Sequence, residues 1–438
     1  MISFLESALH LNIDSEPLLK HIRELKSKLK KAINLSVNKT NSELIKKSDD
    51  ICKTTWKYIK NIKEEQVSSS EGICLLVQGK PCSNPKKVAN CFNEFFLNIP
   101  KEISKTLKTV KFSLQDIDKV ANTVYMYDCN NTEIEEVMRE LRNKKSFGID
   151  GISNYVVKYV NEAISKPLAH IVNLSMKWGV FPNDLKKTVV KPLFKKGDKR
   201  KPENYRPIAL TSPFSKISEK IYLRRVLGFI HKNNVIVSNQ FGYQKEKSCS
   251  DAIAYLHDHV VKAKKQNLMA LAIFLDLSKA FDCVNHDILL STLNQYGIRG
   301  IALDLITSYL SNRSQSVIIQ SDSSDRTSCY SDSDFVKEGV PQGSIYGPYL
   351  FILYSNCIKY LISKFGAEFI LYVDDTTVVI TGKTVEEVEQ KAIRIMQAVY
   401  DFFSSLFLAL NLDKTVCMRF NSDEKTHVNI SVNTVPIK

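Results

Sequence analysis

The chain has 438 residues, 44% hydrophobic and 25% charged, enough to bury a large core, and its length favours two to three structural units over one. Lys and Arg number 61 against 47 Asp and Glu, a formal charge of +14 that favours a polyanionic partner through phosphate neutralisation and counterion release. Ten scattered cysteines form no C-x-x-C pair, which speaks against a zinc knuckle or a disulfide framework, and no apolar run nears the roughly 18 residues of a membrane span, so a soluble intracellular protein is expected.

From Pro17 to Val37 a basic segment carries Leu18, Leu19, Ile22, Leu25, Leu29 and Ile33 at helical spacing and predicts an amphipathic helix. The polar run VSSSEG, Val67 to Gly72, predicts a linker, because serines and glycine favour turns. Pro85 to Ile103 predicts a helix with Val88, Cys91, Phe92, Phe95 and Phe96 on one face, a stripe that belongs to the core rather than to chemistry. Thr132 followed by Glu135 forms a capping-box pattern and places a helix start near residue 133. Gly148 and Gly151 are expected to stop that helix before a further helical segment, Ala163 to Trp178.

From Thr188 the pattern changes to short apolar runs separated by turns, TVVKPLF, KKGDKRKPEN and YRPIALT, which predicts a β-hairpin. Between Lys186 and Arg206 stand nine basic residues against two acidic ones, half of the chain's surplus of positive charge, so this hairpin is the expected phosphate contact. Beyond it strands and helices alternate without the Gly-rich loops of a Rossmann or P-loop unit, which points to an α+β fold.

Asp276 ends the apolar run Leu271 to Leu275, as a buried strand delivers its last side chain to a cleft. About a hundred residues later, FILYVDDTTVVI (369–380) folds two β-prone runs about Asp374 and Asp375. Adjacent like charges at a tight turn repel unless a cation lies between them. Oxygen ligands from two strands suit two Mg²⁺ ions about 4 Å apart, the arrangement that clamps both oxygens of an in-line phosphoryl displacement.

Seven segments stand in a fixed order: KPLFKKGD, NYRPIALTSPFSKISEK, QFGYQKEKSCSDAI, FLDLSKAFD, GVPQGSIYGPYLFILYSN, YVDD and LNLDKT. Over about residues 130 to 438 they resemble the reverse transcriptase of non-LTR, LINE-type retrotransposons, most similar to the jockey-like branch. The resemblance implies a right-hand polymerase with fingers, a palm built on a small antiparallel catalytic sheet, and a helical N-terminal extension. In those terms the organisation is an extension (1–66), a linker and helical connector (67–129), a helical lead-in (130–187), and fingers and palm (188–438), with the thumb missing and no upstream endonuclease.

Carried over residue by residue, the resemblance makes Asp276, Asp374 and Asp375 the catalytic and metal-binding carboxylates, with Mg²⁺ as cofactor and Mn²⁺ as the alternative. Lys195 and Arg206 match residues that grip the incoming triphosphate, with Lys191 and Lys196 in reserve. Phe281 matches an aromatic gate beneath the sugar, and Gln342 and Gly343 of the P-Q-G-S turn match nucleotide contacts. Lys414 matches a general acid toward pyrophosphate. Asp282 reads instead as a structural charge at a helix start. The implied partners are an RNA template, a DNA primer and deoxynucleoside triphosphates, used in target-primed synthesis, hence in cytoplasm and nucleus, with no membrane and an oligomeric state the residues do not specify. The competing expectation is a truncated or co-opted fragment that binds RNA without polymerising.

Overall fold

The computed structural model describes residues 73–320 and 328–420 apart from 78, 112 and 114–116, residues 429–432 and 435–437, and separate positions between 24 and 55. The chain divides into two compact units, Met1–Glu71 and Gly72–Lys438. In the first, the described positions from 24 to 46 are helical, Leu25 among them. The rest of the Pro17–Val37 stripe and the VSSSEG linker fall outside the described residues.

The second unit opens its helical part with α1 (Pro85–Thr106), where the Asn84 side chain accepts the Lys87 N–H at 3.1 Å and proline occupies the first turn. Its face of Val88, Phe92 and Phe96 is buried, and Phe92 meets Tyr205 edge-on at 4.9 Å, so the aromatic stripe is core as expected. Helix α2 (Asn131–Glu140) corrects the expected cap: Asn130 accepts the Glu133 N–H at 2.9 Å, and Thr132 lies inside the helix. Both residue types cap well; with the helix starting at Asn131, Glu133 lies in its first turn and grips Arg225 through two bonds of 2.5 and 2.7 Å.

That helix ends at Leu141, before either glycine. Gly148 serves a different purpose: a Cβ there would come within 3.0 Å of the Ser212 nitrogen and 3.2 Å of the Leu210 carbonyl oxygen, so only glycine lets this loop lie against the backbone of residues 210–212. Helix α3 (Asn161–Trp178) follows and stops at Gly179, whose φ of 63° is the left-handed cap.

The basic hairpin forms as expected, from β1 (Lys187–Phe194) and β2 (Tyr205–Leu210), with Leu193 opposite Arg206 and Lys191 opposite Ile208. Buried Tyr205, Pro207 and Ala209 alternate with exposed Arg206 and half-buried Ile208, so one face of the hairpin packs inward and the other carries charge. Strand β1 also pairs in parallel with a later strand, Arg313–Gln320, which carries two short strands beyond it, making a five-stranded mixed sheet.

Helix α4 (Pro213–Lys232) lies in the core and α5 (Cys249–Lys265) starts at a full capping box between Ser248 and Asp251. The second sheet is antiparallel throughout, built from β3 (Met269–Leu275), β4 (Glu368–Tyr372), β5 (Asp375–Gly382) and β6 (Val416–Phe420) in the spatial order β4, β5, β3, β6. Both faces are covered: Ala272, Ile370 and Val379 pack with Phe241 and Ala252 of α5, while Leu271, Ile273, Leu275, Val378 and Ile380 enter the main core. Two covered faces explain why β3 reads as an unbroken apolar run although its neighbours are antiparallel. Polarity is left to the strand ends.

Candidate active site

The β4–β5 hairpin closes with Tyr372 paired to Asp375, leaving Val373 and Asp374 as a two-residue loop. Val373 has φ 64°, in the position that glycine usually takes in such loops, and a β-branched residue adopts it only when its surroundings force it to. The force comes from Gln240. Its Oε1 accepts the Val373 N–H at 3.1 Å and the Gly242 N–H at 2.9 Å, while Phe241 and Leu371 bond through their backbones at 2.8 Å. Gly242 has no alternative here, since a Cβ would sit 2.5 Å from Val373 Cγ2.

The β3–β5 register pairs Thr376 with Leu275, so the next step beyond the ladder sets Asp375 opposite Asp276. The three expected carboxylates therefore share one end of one sheet. Burial, and then repulsion from Asp375 and Asp276, raise the Asp374 carboxyl above the ordinary range; burial and Asp276 do the same to Asp375. Asp276 itself is bonded by Lys414, Nζ to Oδ2 at 2.7 Å, with both side chains partly exposed. Lys414 reaches it because the segment before it turns back along the C-terminal end of β3: the Asn411 N–H donates to the Asp276 carbonyl at 2.8 Å.

Four cations gather around these carboxylates. Arg206 stands on the charged face of the hairpin, and Lys195, one residue past β1, is held by its N–H to the Asn204 carbonyl at 2.9 Å. The Lys195 ammonium is lowered by burial and then by Arg206 and Lys414, partly offset by Asp276. Lys279 is lowered by burial and by Arg206 and Lys414, against the attraction of Asp282. Each cation is thus felt by others from a different stretch of chain. Lys186, by contrast, leaves the expected phosphate contact: it is 3% exposed, with Nζ facing Ser308 Oγ at 3.4 Å.

The P-Q-G-S segment is locked from both sides. The Gln342 carbonyl accepts the Ala209 N–H at 2.8 Å, and Gly343, with φ 125°, leaves no room for a Cβ, which would meet the Ala209 carbonyl oxygen at 2.7 Å. Beneath it, buried Glu219 accepts the Ile345 and Tyr346 N–H groups at 2.8 and 3.1 Å and the Ser215 hydroxyl at 2.8 Å. The Gln342 amide donates to both oxygens of Asp282, at 2.8 and 2.9 Å. The side-chain partner of Asp282 is thus Gln342 rather than the helix N-terminus expected for it. Burial pushes its carboxyl up to about 6, against the Gln342 bond and Lys279. Phe281 stacks on Phe351 with centroids 5.0 Å apart, half-buried beside this segment.

Gln240, Glu219 and Lys279 are the site-building residues that sequence reasoning missed. Gln240 lay within the quoted QFGY segment, and Gly242 two residues on was the available sign of close backbone approach. Lys279 stood between Asp276 and Phe281 without being singled out, and no local pattern marks Glu219.

The donor set of Asp276, Asp374 and Asp375 is all oxygen, the chemistry that hard divalent cations take, and the pair's carboxyls are raised by burial first and by mutual repulsion after it, both of which a bound cation would offset. In this geometry the three side chains do not close into a cage, and among the described residues no three His, Cys, Asp or Glu side chains do. The Lys414 ammonium is the cation nearest Asp276 Oδ2.

A mixed fold with carboxylates at a sheet end and cations on a facing hairpin defines a polymerase-like class, and residues 194–431 match the reverse transcriptase (RNA-dependent DNA polymerase) family. The match covers more than half of the chain, which belongs to that family. It is 27% identical over 68% of its length to the probable RNA-directed DNA polymerase from transposon BS of Drosophila melanogaster, covering 32% of that protein. It is 24% identical over 69% of its length to the RNA-directed DNA polymerase from mobile element jockey of Drosophila funebris, covering 33% of it. A protein of the type-1 retrotransposable element R1DM of Drosophila melanogaster is 29% identical over 65% of the chain. These relatives are non-LTR retrotransposon proteins, in line with the resemblance, and the chain spans about a third of their length. Among the described residues no helix is long and apolar enough to cross a membrane.

Proposed function

We propose that the chain is the polymerase part of a non-LTR retrotransposon protein and extends a DNA 3′ end with deoxynucleotides on an RNA template. In this reading the antiparallel sheet is the palm and the basic hairpin sheet the fingers. The observation that carries it is the β3–β5 register, whose last pair, Thr376 with Leu275, leaves Asp375 and Asp276 one residue beyond the same end of the ladder, with Asp374 in the adjoining turn. Asp276, Asp374 and Asp375 would hold divalent metal, Mg²⁺ or Mn²⁺, which when bound supplies charge neutralisation and an activated 3′-oxygen.

The chain's own residues then do positioning and electrostatic work, as phosphoryl transfer requires. Lys195 and Arg206 receive the triphosphate from the hairpin face, Arg206 through a planar fork and Lys195 as a point charge. Phe281, stacked on Phe351 and so fixed in place, forms the floor under the sugar, where a 2′-hydroxyl would clash. Gly343 brings the backbone close to the nucleotide. Lys414, free to move from Asp276, donates a proton toward the departing pyrophosphate. Target-primed synthesis would place these steps in the nucleus, with translation in the cytoplasm.

Primer extension on poly(rA) annealed to oligo(dT) with Mg²⁺ tests this reading. Incorporation of dTTP that disappears in Asp374→Ala supports it. No incorporation above that control, with RNA still retained, overturns it in favour of an RNA-binding fragment.

A further inference from the structure

Between the catalytic carboxylate Asp276 and the gate residue Phe281, Lys279 occupies a position that ordinary strand geometry does not explain. Its φ is 50°, in the left-handed region that a lysine enters only when its surroundings hold it there. The backbone on either side is fixed: Leu277 and Ser278 pair with Leu410 and Ala409, and the Asp282 N–H donates to the Lys279 carbonyl at 3.0 Å. The side chain, half-buried, crosses from this segment to the hairpin and donates from Nζ to the Tyr205 carbonyl at 3.2 Å. Tyr205 immediately precedes Arg206 and is the residue whose ring is anchored under α1.

We propose that Lys279 is a positioning residue that ties the basic hairpin to the catalytic sheet through the Tyr205 carbonyl, setting where Arg206 stands relative to Asp276, and that its ammonium adds to the site that receives the polyphosphate of the incoming nucleotide. This rests on the polymerase reading above for the identity of that polyphosphate.

The argument has two independent parts. The first is geometric. A second tie runs through Gln342, whose carbonyl accepts the Ala209 N–H while its amide holds Asp282, so the Lys279 bond is the direct brace at the Arg206 end of β2. The second is electrostatic. Lys279 is close enough to Arg206 and Lys414 for each to disfavour its charge, and Lys195 feels Arg206 and Lys414 in the same way. Lys279 and its cationic neighbours thus repel one another across the site, and a polyanion placed between them relieves that repulsion.

The test uses the full chain, steady-state dTTP kinetics on poly(rA)/oligo(dT), and calorimetric titration with inorganic tripolyphosphate. Lys279→Met should raise KM for dTTP about tenfold, the size of one lost charge-assisted bond, while kcat changes by less than about threefold. Tripolyphosphate affinity should fall in parallel. Lys279→Arg, which keeps both the donor and the charge, should restore both quantities; Lys279→Gln, which keeps a donor alone, should fall between. Wild-type KM and tripolyphosphate affinity in Lys279→Met, or a loss confined to kcat, overturns the proposal. If Lys279→Met fails to fold by circular dichroism, the Arg against Gln comparison decides: equal KM values sink it. A wild-type chain that binds tripolyphosphate through Lys279 but extends no primer keeps the site and removes the polymerase reading. One that does neither removes both.

Discussion

The two sheets of the molecule handle polarity in opposite ways. The antiparallel sheet is apolar on both faces and puts its carboxylates at one end, where Asp276 leaves β3 and Asp374 and Asp375 form the β4–β5 turn. The mixed sheet buries one face of its hairpin under α1 and carries Arg206 on the other. An end position fixes a side chain through the register of two strands, with an error of a fraction of a residue step. A face position is set by register too, as Arg206 stands opposite Leu193, but its side chain projects out from the sheet into solvent. In the proposed reading, the groups that would share a metal sit at the end, and the groups that would gather a mobile polyanion sit on the face.

The largest effect that tests this contrast is at the sheet end. Asp276→Asn or Asp374→Asn should cut incorporation by more than about a hundredfold, beyond the loss expected for an outer partner of a metal ligand, with the thermal midpoint unchanged or raised because a repelling charge is gone. A fall in midpoint would show these carboxylates to be structural. Next comes the brace. Gln240→Ala leaves the Val373 and Gly242 N–H groups unpaired and should cost about 2–4 kcal/mol in denaturant unfolding. A cost under about 1 kcal/mol would mean that the turn holds itself.

On the face, Arg206→Gln should raise KM for dTTP about tenfold and leave stability within about 0.5 kcal/mol. Equal effects on kcat and KM would place Arg206 at the sheet-end chemistry and erase the distinction.

A smaller, pH-dependent effect separates Asp282 from both groups. Its folded-state carboxyl is raised to about 6, so relative to the unfolded chain it holds its proton longer. The stability it contributes is complete below the ordinary carboxylate value near 3.8 and is lost as pH rises through about 6. Wild type should therefore lose thermal stability between pH 4 and 6 relative to Asp282→Asn, and parallel curves would remove Asp282 as the cause. The smallest change is at an exposed helix pair: Arg139→Ala, which breaks the 2.9 Å contact with Glu135, should cost about 0.3–0.5 kcal/mol and leave dTTP kinetics alone.

What the sequence made legible was what short-range periodicity encodes. The hairpin at 187–210, the aromatic stripe of α1 and the strand ending in Asp276 each follow from residues a few positions apart. Asn130 and Thr132 are both residue types that cap, and standing two residues apart they leave no periodic signal that chooses between them. Counting basic residues likewise marked the hairpin but could not show that Lys186 turns inward toward Ser308. Gln240, Glu219 and Lys279 act across long sequence separations on backbone groups, which leave no side-chain pattern to read.

The brace at Gln240 has a consequence apart from chemistry. Strand β4 is the outermost of its sheet, and its backbone would otherwise offer a row of unpaired donors and acceptors to any passing chain. Residues 239–241 lie along that row, with Leu371 donating to the Asn239 carbonyl at 3.0 Å and accepting from Phe241 at 2.8 Å. The same short stretch that shapes the turn thus caps an adhesive border, and weakening it should expose the protein to self-association before the core unfolds.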